Sequence, residues 1–236
     1  MLDDLRSLLG HCIPNDHSRQ VVSEYYVDRV FAEHDGIRTV LDLGCGSGNS
    51  IDIFREKNES IRWIGLDVES SPEVATRTRT DAEFHTYDGT NIPFDDDYFD
   101  LIYCNQVFEH VRNPCMLLRD VHRVLKKGGF FIGSTSQLEP YHSHSLWNYT
   151  AYGFVELLNE ARLPVVEIRP GIDALTLIVR RGLHSPRLFR AFWRRESPLN
   201  VAIGTVGRIT RKTNADINLV KLVLCGQFCF IARRLI

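Results

Sequence analysis

Residues 40–50 read Val-Leu-Asp-Leu-Gly-Cys-Gly-Ser-Gly-Asn-Ser: an apolar run that carries Asp42, three glycines at alternate positions, then polar residues able to open a helix. Glycine has no Cβ and tolerates positive φ, so such a segment can turn sharply and lay bare backbone against a ligand. A strand, a glycine turn and a helix in this order form the place where doubly wound α/β proteins hold nucleotides. Asp42 narrows the choice. A carboxylate at the end of the first strand repels a dinucleotide pyrophosphate and attracts a ligand that carries an ammonium group.

The rest of the chain supplies the architecture that this turn requires. Segments 38–43, 61–66, 83–87, 99–104, 128–134, 165–169 and 227–233 are β-branched or aromatic and read as strands of a buried, mostly parallel, seven-stranded sheet. Helical patterns lie between them. An amphipathic stretch at 17–34 precedes the first strand; 113–125 has Pro114 at a first helical position and Gly128-Gly129 beyond its end; 150–161 has Thr150 as N-cap. The expected fold is α/β, doubly wound and Rossmann-like, in a single domain over 1–236.

Alternation breaks down over 171–224, a stretch too long for a structureless connection. Helical patterns at 172–181, 186–195 and 200–211 make it a helical insertion, or lid, over the carboxyl edge of the sheet. Residues 180–212 hold nine Lys and Arg against Glu196 alone, a local balance of +8 in a chain whose net charge is −2. Three uses fit these cations: a lid meeting an anionic acceptor, a peripheral membrane contact through 186–195, or a covering face that also serves a homodimer. No apolar run approaches the roughly 20 residues of a membrane span. The six cysteines lack paired C-x-x-C spacing, and with no signal peptide they suit a reducing, cytoplasmic setting. Cys225 and Cys229 are expected on one strand face.

Asp67 closes the second strand, where an acidic residue accepts hydrogen bonds from ribose hydroxyls. Asp88, with Gly89 and Thr90, closes the third, and Asn105-Gln106-Val107-Phe108-Glu109-His110-Val111 follows the fourth. Together these segments resemble the class I S-adenosylmethionine-dependent methyltransferases. VLDLGCGSGNS is similar to that family's first motif, IGLDV to its second-strand acidic motif, YDGTNIPFDDDYFDLIYCNQVFEHV to its third and fourth, and RVLKKGGFFIGSTS to its fifth-strand segment. The resemblance covers about 36–180 and returns at 227–233. It implies S-adenosyl-L-methionine as cofactor. Asp42 would then lie near the methionine ammonium, and Gly44, Cys45, Gly46 and Asn49 would pass under methionine and ribose. Asp67 and Val68 would meet the ribose, Asp88, Gly89 and Thr90 would frame the adenine, and Asn105 would offer its backbone to the methionine end.

The acceptor is read from chemistry. A hydroxyl is a poor nucleophile and benefits from a base near neutral pKa, which is histidine's range. His110 follows the fourth strand; His142 and His144 follow the fifth, within a segment rich in aromatic and hydrogen-bonding side chains. Such a mixture suits a sugar, a glycan or a natural product, so O-methylation of a small polyhydroxylated acceptor is the expected reaction. For His110 the reading stays open between a base and a helix cap. No third ligand accompanies His142 and His144, so no metal site is expected. Asp95-Asp96-Asp97 reads as a solvated turn and Pro114-Cys115 as a helix start. The Asn-Pro-Pro-aromatic type of loop that stacks adenine is absent after the fourth strand, and no nucleic-acid module is recognisable. Rival functions are a cofactor-binding protein without catalysis and an N-methyltransferase. A nicotinamide dehydrogenase fits less well, because the glycines run G-x-G-x-G.

Overall fold

The computed structural model describes residues 2–236. Ahead of the sheet lie α1 (Leu2–Leu9) and α2 (Glu24–Glu33); then β1 (Thr39–Leu43), α3 (Ser50–Lys57), β2 (Arg62–Val68), the single turn α4 (Pro72–Ala75) and β3 (Glu83–Tyr87) make up the first half. The second half runs through β4 (Phe99–Asn105), α5 (Pro114–Val124), β5 (Leu125–Ser136), α6 (Ala151–Glu160) and β6 (Val165–Pro170). After it come α7 (Ala174–Gly182), the short α8 (Ala191–Arg194), α9 (Pro198–Ile209), α10 (Asn214–Leu224) and finally β7 (Gln227–Arg233).

All seven expected strands are present in one sheet of order β3-β2-β1-β4-β5-β7-β6. β1 to β5 pair in parallel, and β7 slots between β5 and β6 antiparallel to both. Because the pleat alternates, Leu41 and Leu43 of β1 point to one face, with Ile102, Phe131 and helices α5 and α6, while Val40 points to the other, with Tyr103, Ile132, α2 and α3. Each fully buried Phe or Leu in these layers contributes roughly 1.5–3 kcal/mol. The chain leaves β1 toward β2 on one side and reaches β4 on the other, so a crevice opens beyond the carboxyl ends of β1 and β4.

Several boundaries differ from the sequence reading. The stretch 17–34 contributes only α2, since Ser23 turns inward to bond Tyr103 and Asn105. β5 starts at Leu125, so the helix before it ends sooner than expected. α1 and α10 were not anticipated; they pack on each other. Cys225 lies in the bridge opposite Asp173, outside β7, and so does not share a strand face with Cys229. Thr150 does cap α6, its hydroxyl accepting the Gly153 N–H at 3.0 Å.

Candidate active site

The glycine loop takes the shape its composition demands. Gly44, Gly46 and Gly48 have φ of +77°, +52° and +78°. The N–H groups of Gly44 and Cys45 both donate to Leu66 O, at 2.7 and 3.2 Å, which docks the loop on the end of β2. A Cβ on Gly44 would stand 2.3 Å from Val107 Cγ2, so the loops after β1 and β4 touch here.

Asp42 is only 3% exposed. Its carboxylate accepts from the Ser50 hydroxyl, which in turn accepts from Trp63 Nε1 at 3.1 Å. Burial pushes its pKa up to about 7, despite the Ser50 bond. A buried carboxylate with no cation partner is costly, and a ligand ammonium would relieve that cost. Asp67 stands close by: its two oxygens accept from Gly46 N at 2.7 Å and Val68 N at 2.8 Å. Burial raises its pKa as well. Each oxygen keeps a second lone pair for a ligand hydroxyl.

The remaining expected contacts are more loosely placed. Asp88 is exposed and closes a local turn by accepting from Asn91 N at 2.7 Å, Asn91 Nδ2 at 2.5 Å and Thr90 N at 2.8 Å; the Asn91 bonds hold its pKa down to about 2. Gly89 supplies the positive φ, +89°, of that turn. Asn49 stands at the N-cap of α3 without a side-chain cap bond. Asn105, at the tip of β4, accepts from Ser23 Oγ at 2.8 Å and Ser134 Oγ at 2.6 Å. The Cys45 thiol is buried, and its pKa is raised by that burial. Arg77, which the sequence did not single out, lies along the loop: Nε and Nη2 donate to Gly46 O at 2.9 and 2.6 Å.

On the other side of the crevice the three histidines separate into a pair and a single residue. Glu109 and His110 sit on a 3-10 turn, Phe108–His110, and His142 faces them from the loop after β5. The rings of His110 and His142 are 5.5 Å apart, edge to face, and His142 Nε2 is 3.9 Å from Glu109 Oε1. Glu139, 3.7 Å from His142 Nδ1, flanks the group. The sequence assigns neither carboxylate a role, although Glu109 lies within the segment after β4 and Glu139 directly precedes the aromatic segment after β5. Glu109 is fully buried; Thr135 Oγ1 donates to it at 3.0 Å and Ser136 Oγ lies 3.3 Å from it, yet burial pushes its pKa up to about 7. Burial, then His142, lowers the pKa of His110. Donor atoms of Glu109, His110 and His142 all lie within 4.8 Å of one another, a grouping that does not include His144.

His144 stands apart. It is exposed, with Nδ1 3.4 Å from the Tyr141 hydroxyl, and it and Ser143 hold φ of +62° and +41°. Two successive non-glycine residues in this region mark strained backbone, a feature that clusters at functional sites. The segment is clamped to the 3-10 turn: Leu146 N and Trp147 N donate to Glu109 O at 2.7 and 3.1 Å, and Trp147 Nε1 to Val111 O at 2.8 Å.

The Asp95–97 turn is exposed and spends its charge on Arg123 and Arg234, and Pro114-Cys115 begins α5. In the insertion, Gln20 Oε1 accepts from Ser197 N and Oγ and from Asn200 Nδ2 at 2.8–2.9 Å, and buried Lys221 donates to Glu196 at 2.8 Å. Phe192 and Trp193 are half-buried, the latter under Arg180 at 4.9 Å. Exposed apolar side chains of the insertion include instead Leu183, Leu188, Val206 and Ile209. Among the described residues no helix is long and apolar enough to cross a membrane.

Comparison with known proteins places this geometry in context. The profile of the family described as methyltransferase domain matches residues 16–163. A ubiquinone biosynthesis O-methyltransferase of Pseudomonas paraeruginosa is 28% identical over 109 residues, 44% of this chain and 46% of that protein. A demethylmenaquinone methyltransferase of Thermotoga maritima is 35% identical over 91 residues, covering 38% and 40%. The chain thus spans less than half the length of these relatives. Among solved structures, a SAM-dependent methyltransferase from Archaeoglobus fulgidus superposes with TM-score 0.58 at 17% identity, over 89% of this chain and 92% of that one. One from Aquifex aeolicus gives 0.56 at 15%, over 100% and 99%. At such identities these two structures speak for the fold.

Proposed function

We propose that this chain, which belongs to the methyltransferase-domain family, transfers a methyl group from S-adenosylmethionine to a hydroxyl of a small polyhydroxylated molecule such as a sugar, glycan or natural product. When bound, the cofactor supplies an electrophilic methyl on a sulfonium. Asp42 would neutralise the methionine ammonium, Gly44, Cys45, Gly46 and Asn49 would lie beneath the methionine and ribose, and Asp67 with Val68 would take the ribose hydroxyls. Asp88, Gly89 and Thr90 would edge the adenine, and Asn105 the methionine end.

The observation that carries this reading is the pairing of two environments across one crevice. A buried Asp42, with no cationic partner among the described residues, sits beside the glycine loop, and a histidine-rich wall stands opposite. Methyl transfer needs chiefly an acceptor held in line, and such positioning is worth roughly 7–11 kcal/mol. His144 is the histidine outside the Glu109 cluster and takes the role of base. The His144 ring would accept the proton of the acceptor hydroxyl as that oxygen is methylated, with S-adenosylhomocysteine as the departing product. His110 and His142 line the wall. The 171–224 insertion packs through α10 on β6 and on residues 14–18, and Gln137 Nε2 donates to Leu222 O at 2.6 Å. Its exposed apolar side chains and nine cations favour a second role, contact with an anionic lipid surface.

The test is calorimetry with S-adenosylhomocysteine, followed by turnover on hydroxylated and amine acceptors. Binding together with O-methylated product, and a kcat loss of about 10²–10⁴-fold in His144→Ala, is expected. Tight binding with no turnover on any acceptor would favour the non-catalytic alternative. Turnover confined to amines would favour N-methylation.

A further inference from the structure

We infer that Glu109, His110 and His142 form a binding site for one divalent transition-metal ion on the acceptor wall of the crevice. For its role in methyl transfer this inference rests on the reading above; for its existence it does not.

The donor set is of the right kind. Two imidazoles and one carboxylate suit borderline ions such as Zn²⁺, Mn²⁺ or Co²⁺ and leave coordination positions open. Their donor atoms already lie within 4.8 Å of one another, and His142 Nε2 is 3.9 Å from Glu109 Oε1. Ligands about 2.0–2.2 Å from a tetrahedral ion stand some 3.3–3.6 Å apart, so closure needs rotamer adjustments rather than backbone movement.

The surroundings independently call for a cation. His110 Nδ1 is buried and has no hydrogen-bond partner, while the ring packs edge to face on His142 at 5.5 Å. An orphaned ring nitrogen in the interior costs about 1–3 kcal/mol unless something takes its lone pair. Glu109 is entirely buried without a formal positive partner, and Glu139 brings a second carboxylate to the far side of His142. The outer shell is in place as well. Thr135 Oγ1 donates to Glu109 at 3.0 Å, and Ser136 Oγ and Gln227 Nε2 donate to Glu139 at 2.8 and 2.6 Å. Groups of this kind fix the orientation of metal ligands. The clamp from Leu146 and Trp147 onto Glu109 O sets the loop that presents His142.

An ion here has an evident use. With open positions facing the crevice, it would hold an acceptor oxygen and lower the pKa of its hydroxyl, easing proton transfer to His144. A vicinal diol or catechol, offering two oxygens to one ion, is the acceptor chemistry that such a site favours.

The experiment uses the full chain, stripped with chelator and titrated with Zn²⁺, Mn²⁺ and Co²⁺ separately by calorimetry, with Co²⁺ also followed by its visible absorption. His142→Ala and His110→Ala are compared, with Glu139→Gln as a milder change and S-adenosylhomocysteine affinity measured for every variant. The expected result is one tight equivalent in the wild type that both alanine variants lose while keeping cofactor binding, and about 10–100-fold weaker metal binding in Glu139→Gln. Absence of a stoichiometric equivalent for all three ions, or an equivalent undiminished in both alanine variants, overturns the site. Loss of cofactor binding by the wild type would count against the methyltransferase reading and leave the metal result intact.

Discussion

Asp67 accepts a 2.7 Å hydrogen bond from the backbone N–H of Gly46, joining the carboxyl end of β2 to the glycine loop that follows β1. The residue expected to meet the ribose therefore also shapes the loop beneath it. Asp67→Ala should lose both contributions. Hydrogen bonds to a charged group are worth about 1.5–3 kcal/mol, so affinity for S-adenosylhomocysteine should fall roughly 10- to 100-fold by calorimetry. Asp67→Asn, which keeps an acceptor oxygen, should lose less. An unchanged Kd in the alanine variant would remove Asp67 from the site.

Asp42 gives the site a pH dependence of definite sign. Its ordinary carboxyl pKa of 3.8 is pushed up to about 7 by burial, so the folded protein keeps a proton that the unfolded chain releases. Asp42 therefore adds stability below its ordinary pKa, and that contribution is lost as pH rises through about 7. A bound ammonium favours the ionised form, so binding near pH 6 should expel a proton. Affinity for S-adenosylhomocysteine should rise from about pH 5.5 to 7.5, and the heat of binding should depend on the buffer. In Asp42→Asn both trends should vanish; a slope that persists there would assign the proton to another group.

Most of the sheet was legible because its signals are local. The glycine loop, Asp42 and the β-branched runs each declare a strand end or a strand without reference to distant residues. Helix α10 was missed for the opposite reason. Its run Ile-Asn-Leu-Val-Lys-Leu-Val-Leu does not by itself separate helix from strand, and only the Thr213–Asp216 capping box marks the start. The acceptor wall was half legible. His110 and His142 were recognisable as residue types, but Glu109 acquires meaning only when β5 buries it and the 140–149 loop folds back. Those are contacts across about 30 residues of chain, which spacing does not encode.

The close approach of Gly44 to Val107 should be detectable in stability. Gly44 holds φ +77°, and an added Cβ would lie 2.3 Å from Val107 Cγ2. Gly44→Ala thus carries backbone strain of about 1–3 kcal/mol together with a steric overlap. At about 2–4 °C per kcal/mol for a chain of this size, Tm should drop by several degrees. Adding Val107→Ala should recover the overlap part and leave the backbone part. A double variant no more stable than Gly44→Ala alone would mean the two loops do not meet as described.

The insertion should recognise anionic membranes through its apolar side chains and its cations together. Leu188 and Ile209 are 79% and 76% exposed, and 180–212 carries nine Lys and Arg against Glu196 alone. Phe192 and Trp193, by contrast, are half-buried beneath Arg180 and the Gln20 contact to Phe192 O. Mutating those two would unsettle packing as well as any surface, so Leu188→Ser with Ile209→Ser is the cleaner probe. Burying a leucine-sized side chain contributes roughly 1.5–3 kcal/mol, so losing two should weaken sedimentation with phosphatidylglycerol-containing vesicles on the order of a hundredfold. Salt should weaken it further, since exposed charges are screened within about 8–10 Å at physiological ionic strength. Pure phosphatidylcholine vesicles should bind poorly. If the wild type ignores both kinds of vesicle, and the double variant instead changes a monomer–dimer equilibrium in sedimentation velocity, the face belongs to a second copy of the chain.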